Sequence, residues 1–81
     1  MIYLDEGFIF YNGQIEYKVI KFRKRCLENL ALLQRGTYCP FVVARNVTKN
    51  DDGTYTWAWG HYFTSLEHAQ ADFDERLQKL L

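Results

Sequence analysis

Large apolar side chains alternate with small or polar ones along residues 41–63, in two runs that the sequence Asn-Asp-Asp-Gly separates. Alternation with a period of two is typical of a half-buried β-strand. Asn-Asp-Asp-Gly at 50–53 is typical of a type I turn followed by a glycine bulge, which closes three-residue hairpin loops. The pattern therefore predicts a β-hairpin in a register that places Arg45 opposite Trp59 and Phe41 opposite Phe63.

The two faces of this predicted hairpin differ in size and polarity. One face carries Phe41, Val43, Arg45, Val47, Tyr55, Trp57, Trp59, His61 and Phe63. The other carries Val42, Ala44, Asn46, Thr48, Thr54, Thr56, Ala58, Gly60 and Tyr62. Aromatic side chains exposed on a sheet can stack nucleic-acid bases, but a domain of this size needs its large apolar groups inside. We expect the first face to be the core and the second to stay open.

Residues 8–35 fit two patterns. In the first, Asn12-Gly13 closes a hairpin with Phe10 opposite Ile15, so that aromatic and β-branched residues share one face. In the second, apolar residues at spacings of three and four predict an amphipathic helix over residues 13–35. This stripe consists of Ile15, Val19, Phe22, Cys26, Leu30 and Leu33. Both patterns make residues 23–35 helical up to Gly36, and the β-branched content of residues 14–22 favours the strand for that part.

The C-terminal region predicts a capped helix. Thr64 and Glu67 have the spacing of a capping box, in which the hydroxyl serves an amide of the first turn and the acid reaches back. The side chains expected to be buried recur at three-and-four spacing, namely Leu66, Ala69, Phe73, Leu77 and Leu80.

Together these elements predict an α+β fold, with two helices on one face of an antiparallel β-sheet. The order is ββαββα, or βαββα if one long helix covers residues 13–35. At 81 residues the chain is expected to form a single domain over 1–81. Its 48% hydrophobic and 17% aromatic content argues against disorder.

Charge and cysteine content narrow the class of protein. Ten basic and ten acidic residues cancel, which argues against a general nucleic-acid binder. Asp5 and Glu6 interrupt the N-terminal apolar stretch, and no apolar run is long enough to span a membrane, so we expect a cytoplasmic protein. Two cysteines without a secretion signal are expected to be reduced thiols.

Basic residues concentrate near the middle of the chain. Six bases and two acids in residues 14–35 give that segment a net charge of +4, whereas four acids and two bases after residue 63 give −2. A polarised charge distribution is typical of a binding surface, although such runs also occur on solvated faces. The candidate binding residues are Lys18, Lys21, Arg23, Lys24, Arg25, Arg45, Asp51 and Asp52.

The remaining candidates are better explained by structure than by chemistry. Arg45 beside Trp59 is expected to form a cation–π pair, and Asp51 and Asp52 suit the tip of a turn. Cys26 is expected to be a small core residue. No pair of histidines and cysteines has the spacing of metal ligands. We therefore expect that the protein binds no cofactor and no metal and that it is not an enzyme.

Three motifs carry a resemblance to a known class of proteins. They are Tyr38-x-Pro40-Phe41-Val42-Val43-Ala44, Gly60-His61-Tyr62-Phe63 and Leu66-x-x-Ala69-x-x-x-Phe73. The chain resembles small bacterial proteins carried by phages and mobile elements, among which anti-CRISPR and other anti-defence inhibitors occur. The resemblance covers about half of the chain and implies a compact inhibitor of a host protein, without identifying functional residues.

We therefore expect a non-enzymatic protein–protein interaction module that binds a larger partner, such as a nuclease or its complex. Two alternatives stay open. One is a nucleic-acid-binding accessory protein that uses the basic segment 18–25, and the other is a homodimer that associates through leucine-rich helices.

Overall fold

The computed structural model describes residues 2–36 and 38–79, which form five strands and one helix. The elements are β1 (Ile9–Asn12), β2 (Ile15–Arg25), β3 (Glu28–Arg35), β4 (Phe41–Lys49), β5 (Tyr55–Phe63) and α1 (Leu66–Gln78). Each strand pairs antiparallel with the next, in the order β1-β2-β3-β4-β5. Both predicted orders, ββαββα and βαββα, are wrong, because the chain expected to form a helix before Gly36 forms strands.

A hairpin of β2 and β3 occupies the segment where both sequence patterns placed a helix. The turn consists of Cys26 and Leu27, with Arg25 paired to Glu28. All four residues from Leu30 to Leu33 are fully buried. A strand buried on both faces has no polar alternation, so its apolar run is indistinguishable from a helical stripe by period alone.

The first hairpin forms, but its register differs from the prediction. Asn12 pairs with Ile15, so Phe10 lies opposite Tyr17 instead of Ile15. The two turn residues are therefore Gly13 and Gln14, and Gly13 has a φ of +64°. This shift by two residues leaves the face of each side chain unchanged, since the pleat has the same period.

Two apolar clusters lie on opposite faces of the sheet. The inner cluster, on the concave face, contains Leu4, Phe10, Tyr17, Val19, Phe22, Ala31, Leu33, Val42, Ala44, Val47 and Tyr55. The outer cluster, beneath the helix, contains Leu30, Leu32, Val43, Ala69 and Phe73. Because β3 and β4 contribute to both clusters, these two strands form the centre of the fold.

Aromatic contacts between the two edge strands curl the sheet. The ring of Phe10 in β1 lies 4.7 Å from that of Tyr55 and 6.4 Å from that of Trp57, both in β5. Strands at opposite ends of the sheet order thus meet across its concave face. The sheet forms a half-barrel whose interior is the inner cluster.

The predicted register of β4 and β5 is confirmed: Arg45 pairs with Trp59 and Phe41 with Phe63. The predicted faces are wrong. Val42 and Ala44, expected on an open face, are fully buried in the inner cluster.

The reason is a change of face in the middle of both strands. Asn46 has a φ of +58°, a left-handed conformation that asparagine tolerates better than most residues. Beyond it, Val47 joins the inner cluster, although Val43 at the same parity belongs to the outer one. In β5, Trp57 packs inward while Phe63 packs against the outer cluster.

The C-terminal helix begins one residue later than the capping box predicts. Ser65, not Thr64, is the N-cap, and its hydroxyl accepts a hydrogen bond from the amide of His68 at 3.4 Å. Ala69 and Phe73 are buried as expected, but Leu66 is 45% exposed. Leu80, also expected to be buried, lies outside the described residues. Within the described ranges, no helix is both long and apolar enough to cross a membrane.

Candidate binding surfaces

Four of the predicted binding residues form a line along the outer face of β2. We call them the basic strip: Lys18, Lys21, Arg23 and Arg25. Lys21 lies opposite Leu32 and Arg23 opposite Leu30, and both leucines belong to the outer cluster. Since side chains of directly paired residues share a face, the strip lies on the outer face.

A β-bulge at Ile20 brings the strip together. The register of β2 against β3 shifts between Val19 and Lys21, so Ile20 is the extra residue. If residues 18–21 alternated regularly, with no bulge, Lys18 and Lys21 would point to opposite faces, because they are three positions apart. With it, the bases on both sides of the bulge face outward, and the sequence alternation alone does not indicate this.

The strip is accessible. Lys18, Arg23 and Arg25 are exposed and Lys21 is half-buried, whereas α1 packs against β3, β4 and β5. Arg23 donates from Nη1 to the carbonyl of Phe22 at 2.8 Å and lies 3.8 Å from the Glu6 carboxylate. These contacts orient Arg23 without burying it, since 49% of its side chain is exposed.

The flank of the strip on β1 is apolar and aromatic. Ile9 lies opposite Lys18 and is 49% exposed. Tyr11 lies opposite Glu16, and its hydroxyl donates to that carboxylate at 2.9 Å. This hydrogen bond, together with the negative charge of Glu16, raises the pKa of Tyr11 above its usual value.

Lys24 does not belong to the strip. It pairs with Asn29, and it lines a cleft on the concave side. The predicted basic segment is therefore divided between two surfaces by the alternation of the strand.

Arg45 forms an ion pair with Glu28 on the outer face. We expected a cation–π pair between Arg45 and Trp59, but a different residue covers the Trp59 ring. The guanidinium over the Trp59 ring, 3.9 Å from its centre, belongs to Arg76 of α1. Arg76 is held there by a 2.9 Å hydrogen bond from its Nε to Asp72.

The two turn aspartates have different surroundings. The Asp52 carboxylate accepts hydrogen bonds from the hydroxyl of Thr54 at 2.6 Å and from its amide at 3.0 Å. These bonds, the hydroxyl first, lower the pKa of Asp52 below its usual value. Asp51 is exposed at the tip of the same turn. Asp52 is thus accounted for by turn geometry.

The remaining candidates do not converge. The Nδ1 of His61 lies 3.6 Å from Asp72. Cys26, expected in the core, is exposed at the β2–β3 turn with a φ of +53°. In the part of the chain that the structure describes, no three histidine, cysteine or acidic residues are grouped so that they could hold a metal ion.

Sequence reasoning missed a cleft at the open end of the half-barrel, with a volume of about 760 Å³. Residues far apart in the chain line it, so no local motif marks it. Its apolar walls include Ile2, Tyr3, Leu4, Phe8, Val47 and Tyr55. Two lysines, Lys24 and Lys49, line it as well.

Comparisons with known proteins add no relative to this description. No protein-family model, no curated protein and no solved structure matches the chain.

Proposed function

We propose that this chain is a non-enzymatic binding module that docks an acidic surface of a larger protein on its basic strip. The observation that supports the proposal is the placement of Lys18, Lys21, Arg23 and Arg25 on one solvent-facing side of β2. Complementary charge across an interface speeds encounter and selects the partner, even where each exposed pair contributes little free energy.

The surroundings of the strip favour a protein over a nucleic acid. Ile9 offers exposed apolar area next to Lys18, as the core of a protein interface requires. Glu16, two residues before Lys18 in β2, and Glu6, beside Arg23, would repel phosphates. The formal net charge of zero also provides no long-range attraction for a polyanion.

Nucleic-acid binding remains the alternative, since the strip alone could neutralise several phosphates. The two tryptophans of β5, which the sequence offered for stacking bases, are used elsewhere. Trp57 packs inside the half-barrel, and Arg76 covers Trp59. The third alternative, association through two leucine-rich helices, has less support, because the described residues form one helix and it packs Ala69 and Phe73 against the sheet.

Inhibition of a bacterial defence nuclease, which the resemblance to phage-borne proteins implies, is one role that such a module could have. An inhibitor of this kind would cover an acidic surface of the enzyme or of its complex. The strip is the surface that we propose for this contact.

A matched pair of double variants tests the proposal. Lys18→Gln with Lys21→Gln removes two charges from the strip, and Lys24→Gln with Lys49→Gln removes two from the concave side. Immobilised proteins are incubated with a lysate of the encoding cell, and with poly-L-glutamate and a single-stranded oligonucleotide as defined probes. We expect wild type and the concave-side variant to retain one stoichiometric acidic protein. The strip variant should bind it about tenfold more weakly, from two lost ion pairs of roughly 0.5–1 kcal/mol each.

Two results would overturn the proposal. Equal retention by both double variants would remove the strip from the interface. Retention that nuclease treatment abolishes, with the oligonucleotide bound more tightly than poly-L-glutamate, would establish the nucleic-acid alternative instead.

A further inference from the structure

We infer that the cleft at the open end of the half-barrel binds a small amphipathic anion, an apolar molecule that carries one carboxylate. This site is separate from the basic strip, which lies on the opposite face of β2. Its volume of about 760 Å³ falls inside the range of roughly 300–1,000 Å³ typical of small-molecule sites.

The walls of the cleft suit an apolar ligand body. Leu4 and Val47 are buried members of the inner cluster, and Tyr55 is 8% exposed. Phe8 contacts Tyr55 edge-on at 6.0 Å and is itself 40% exposed. The cleft therefore offers an aromatic and aliphatic surface that is continuous with the core and still open to solvent.

The charges around the cleft suit a single negative head group. Lys24 comes from β2 and Lys49 from the end of β4, and both line the cleft. Glu28 is the one acidic residue among the lining residues of the described chain. Because the Glu28 carboxylate is already paired with Arg45, the charge of Lys49 is the one that a monocarboxylate would neutralise.

Asn46 adds a fixed polar group to the lining. Its φ of +58° is uncommon for a residue other than glycine, and such strained positions concentrate at binding sites. Its Oδ1 accepts a hydrogen bond from the backbone amide of Asn29 at 3.2 Å. The side-chain NH₂ of Asn46 is then the group that can donate to a ligand oxygen.

Hydrogen bonds of the Asn29 side chain fix the backbone next to Asn46. The side chain of Asn29 donates to the carbonyl of Val47 at 3.1 Å and accepts from its amide at 2.9 Å. These bonds hold the strained part of β4 in place before any ligand arrives. A site organised in advance binds with a smaller entropic cost.

The position of the cleft favours a small molecule over a peptide strand. Of the lining residues, Asn29 lies in β3, and Asn46 and Val47 lie in β4. Both strands already have a neighbour on each side, so neither can accept an added strand through its backbone. A ligand that lies against these two strands therefore binds through side chains and shape.

Titration with octanoate, followed by ¹H–¹⁵N NMR of the full chain, tests the inference. We expect saturable shifts at the amides of Asn46, Val47 and Tyr55. Octan-1-ol, which has the same chain without the charge, should bind about tenfold more weakly. Lys49→Gln should weaken octanoate about tenfold and leave octanol unchanged, whereas Lys18→Gln on the opposite face should alter neither.

A second variant keeps the test independent of folding. Asn46→Gly retains the left-handed backbone and removes both the NH₂ donor and the Oδ1 that accepts from Asn29, so octanoate affinity should fall several-fold while the amides of α1 keep their positions. Equal binding of octanoate and octanol, no effect of Lys49→Gln, or shifts outside the cleft would overturn the inference. Binding of an acidic peptide but not of octanoate would also overturn it.

Discussion

The hairpins β2–β3 and β4–β5 have turns that are stabilised in opposite ways. In β4–β5, Gly53 occupies the position with a φ of +89°, and the amide of Asn50 donates to the carbonyl of Thr54 at 2.7 Å. In β2–β3, Cys26 takes a φ of +53° without being glycine, and Leu27 beside it is 88% exposed.

This difference separates local from tertiary causes of a turn. The β4–β5 turn has the residues that its geometry requires, so it is encoded within a few positions. The β2–β3 turn is imposed by the strands on either side, because Leu30 to Leu33 are buried between the two clusters. Burial of that run outweighs a strained, exposed turn.

Loss of the hydrogen bonds by which Asn29 joins the two hairpins should give the largest loss of stability. Asn29→Ala removes both side-chain hydrogen bonds to the backbone of Val47, leaving a buried amide and a buried carbonyl unpaired. We expect the free energy of unfolding to fall by about 2–3 kcal/mol. Urea unfolding followed by tryptophan fluorescence measures this change.

Asn50→Ala in the β4–β5 turn is the matched control. Its side chain donates to Thr54 Oγ1 at 3.0 Å in a half-exposed setting, so we expect a loss of about 0.5–1 kcal/mol. Equal losses for the two asparagines would mean that Asn29 does not connect the hairpins.

Exchanging the turn residues should give effects of opposite sign. Gly53→Ala places a side chain in the left-handed region and should destabilise the protein by about 1–2 kcal/mol. Cys26→Gly removes a side chain from that region and should stabilise the protein by about 0.5–1 kcal/mol. Thermal unfolding of the three proteins compares them directly.

Cys26→Ala separates backbone strain from thiol chemistry. It keeps the Cβ and removes the sulfur, so it should leave stability close to that of the wild type. If Cys26→Ala stabilises as much as Cys26→Gly, strain at this turn is not the cause.

The smallest effect should come from Asp52. Its pKa is lowered by the hydrogen bonds from Thr54, so the folded state favours the carboxylate. The stability that this carboxylate contributes is present above the pKa of the unfolded chain and is lost as the pH falls through the lower, folded pKa.

Unfolding of wild type and Asp52→Asn is therefore measured from neutral to strongly acidic pH. We expect the variant to be the less stable at neutral pH and the difference to vanish in acid. Asp51→Asn, one residue earlier in the same turn, controls for the loss of charge. An identical pH profile for both variants would contradict a specific role for Asp52.

Sequence reasoning predicted those parts of the fold that short-range signals determine. The register around Asn50 and Gly53 follows from the residues of the turn. The helix after Ser65 follows from a capping residue and from apolar residues at three-and-four spacing. The β2–β3 hairpin could not be predicted this way, because its turn has no glycine or asparagine and β3 is apolar on both faces. The change of face at Asn46 was missed as well, because the tolerance of asparagine for the left-handed conformation does not by itself show that a strand changes face there.

Of the two candidate surfaces, the sequence predicted the basic strip in part and did not predict the cleft. The charge cluster was predicted from composition, but its division was not, because Lys24 alternates to the concave side and the bulge that places Lys18 on the face of Lys21 leaves no mark in the sequence. The residues that line the cleft are spread from Ile2 to Tyr55 along the chain. They come together only because the sheet curls into a half-barrel.

The bulge at Ile20 also limits how this protein can evolve. A substitution at Lys18, Arg23 or Arg25 changes one exposed side chain and leaves the inward-facing residues Val19 and Phe22 in place. Deletion of Ile20 itself would keep Lys21 facing outward and Phe22 inward, because only the extra residue is removed, whereas deletion of another residue of β2 would reverse the faces beyond it. The fold therefore tolerates substitutions at the exposed positions of the strip better than insertions or deletions at positions of β2 other than Ile20.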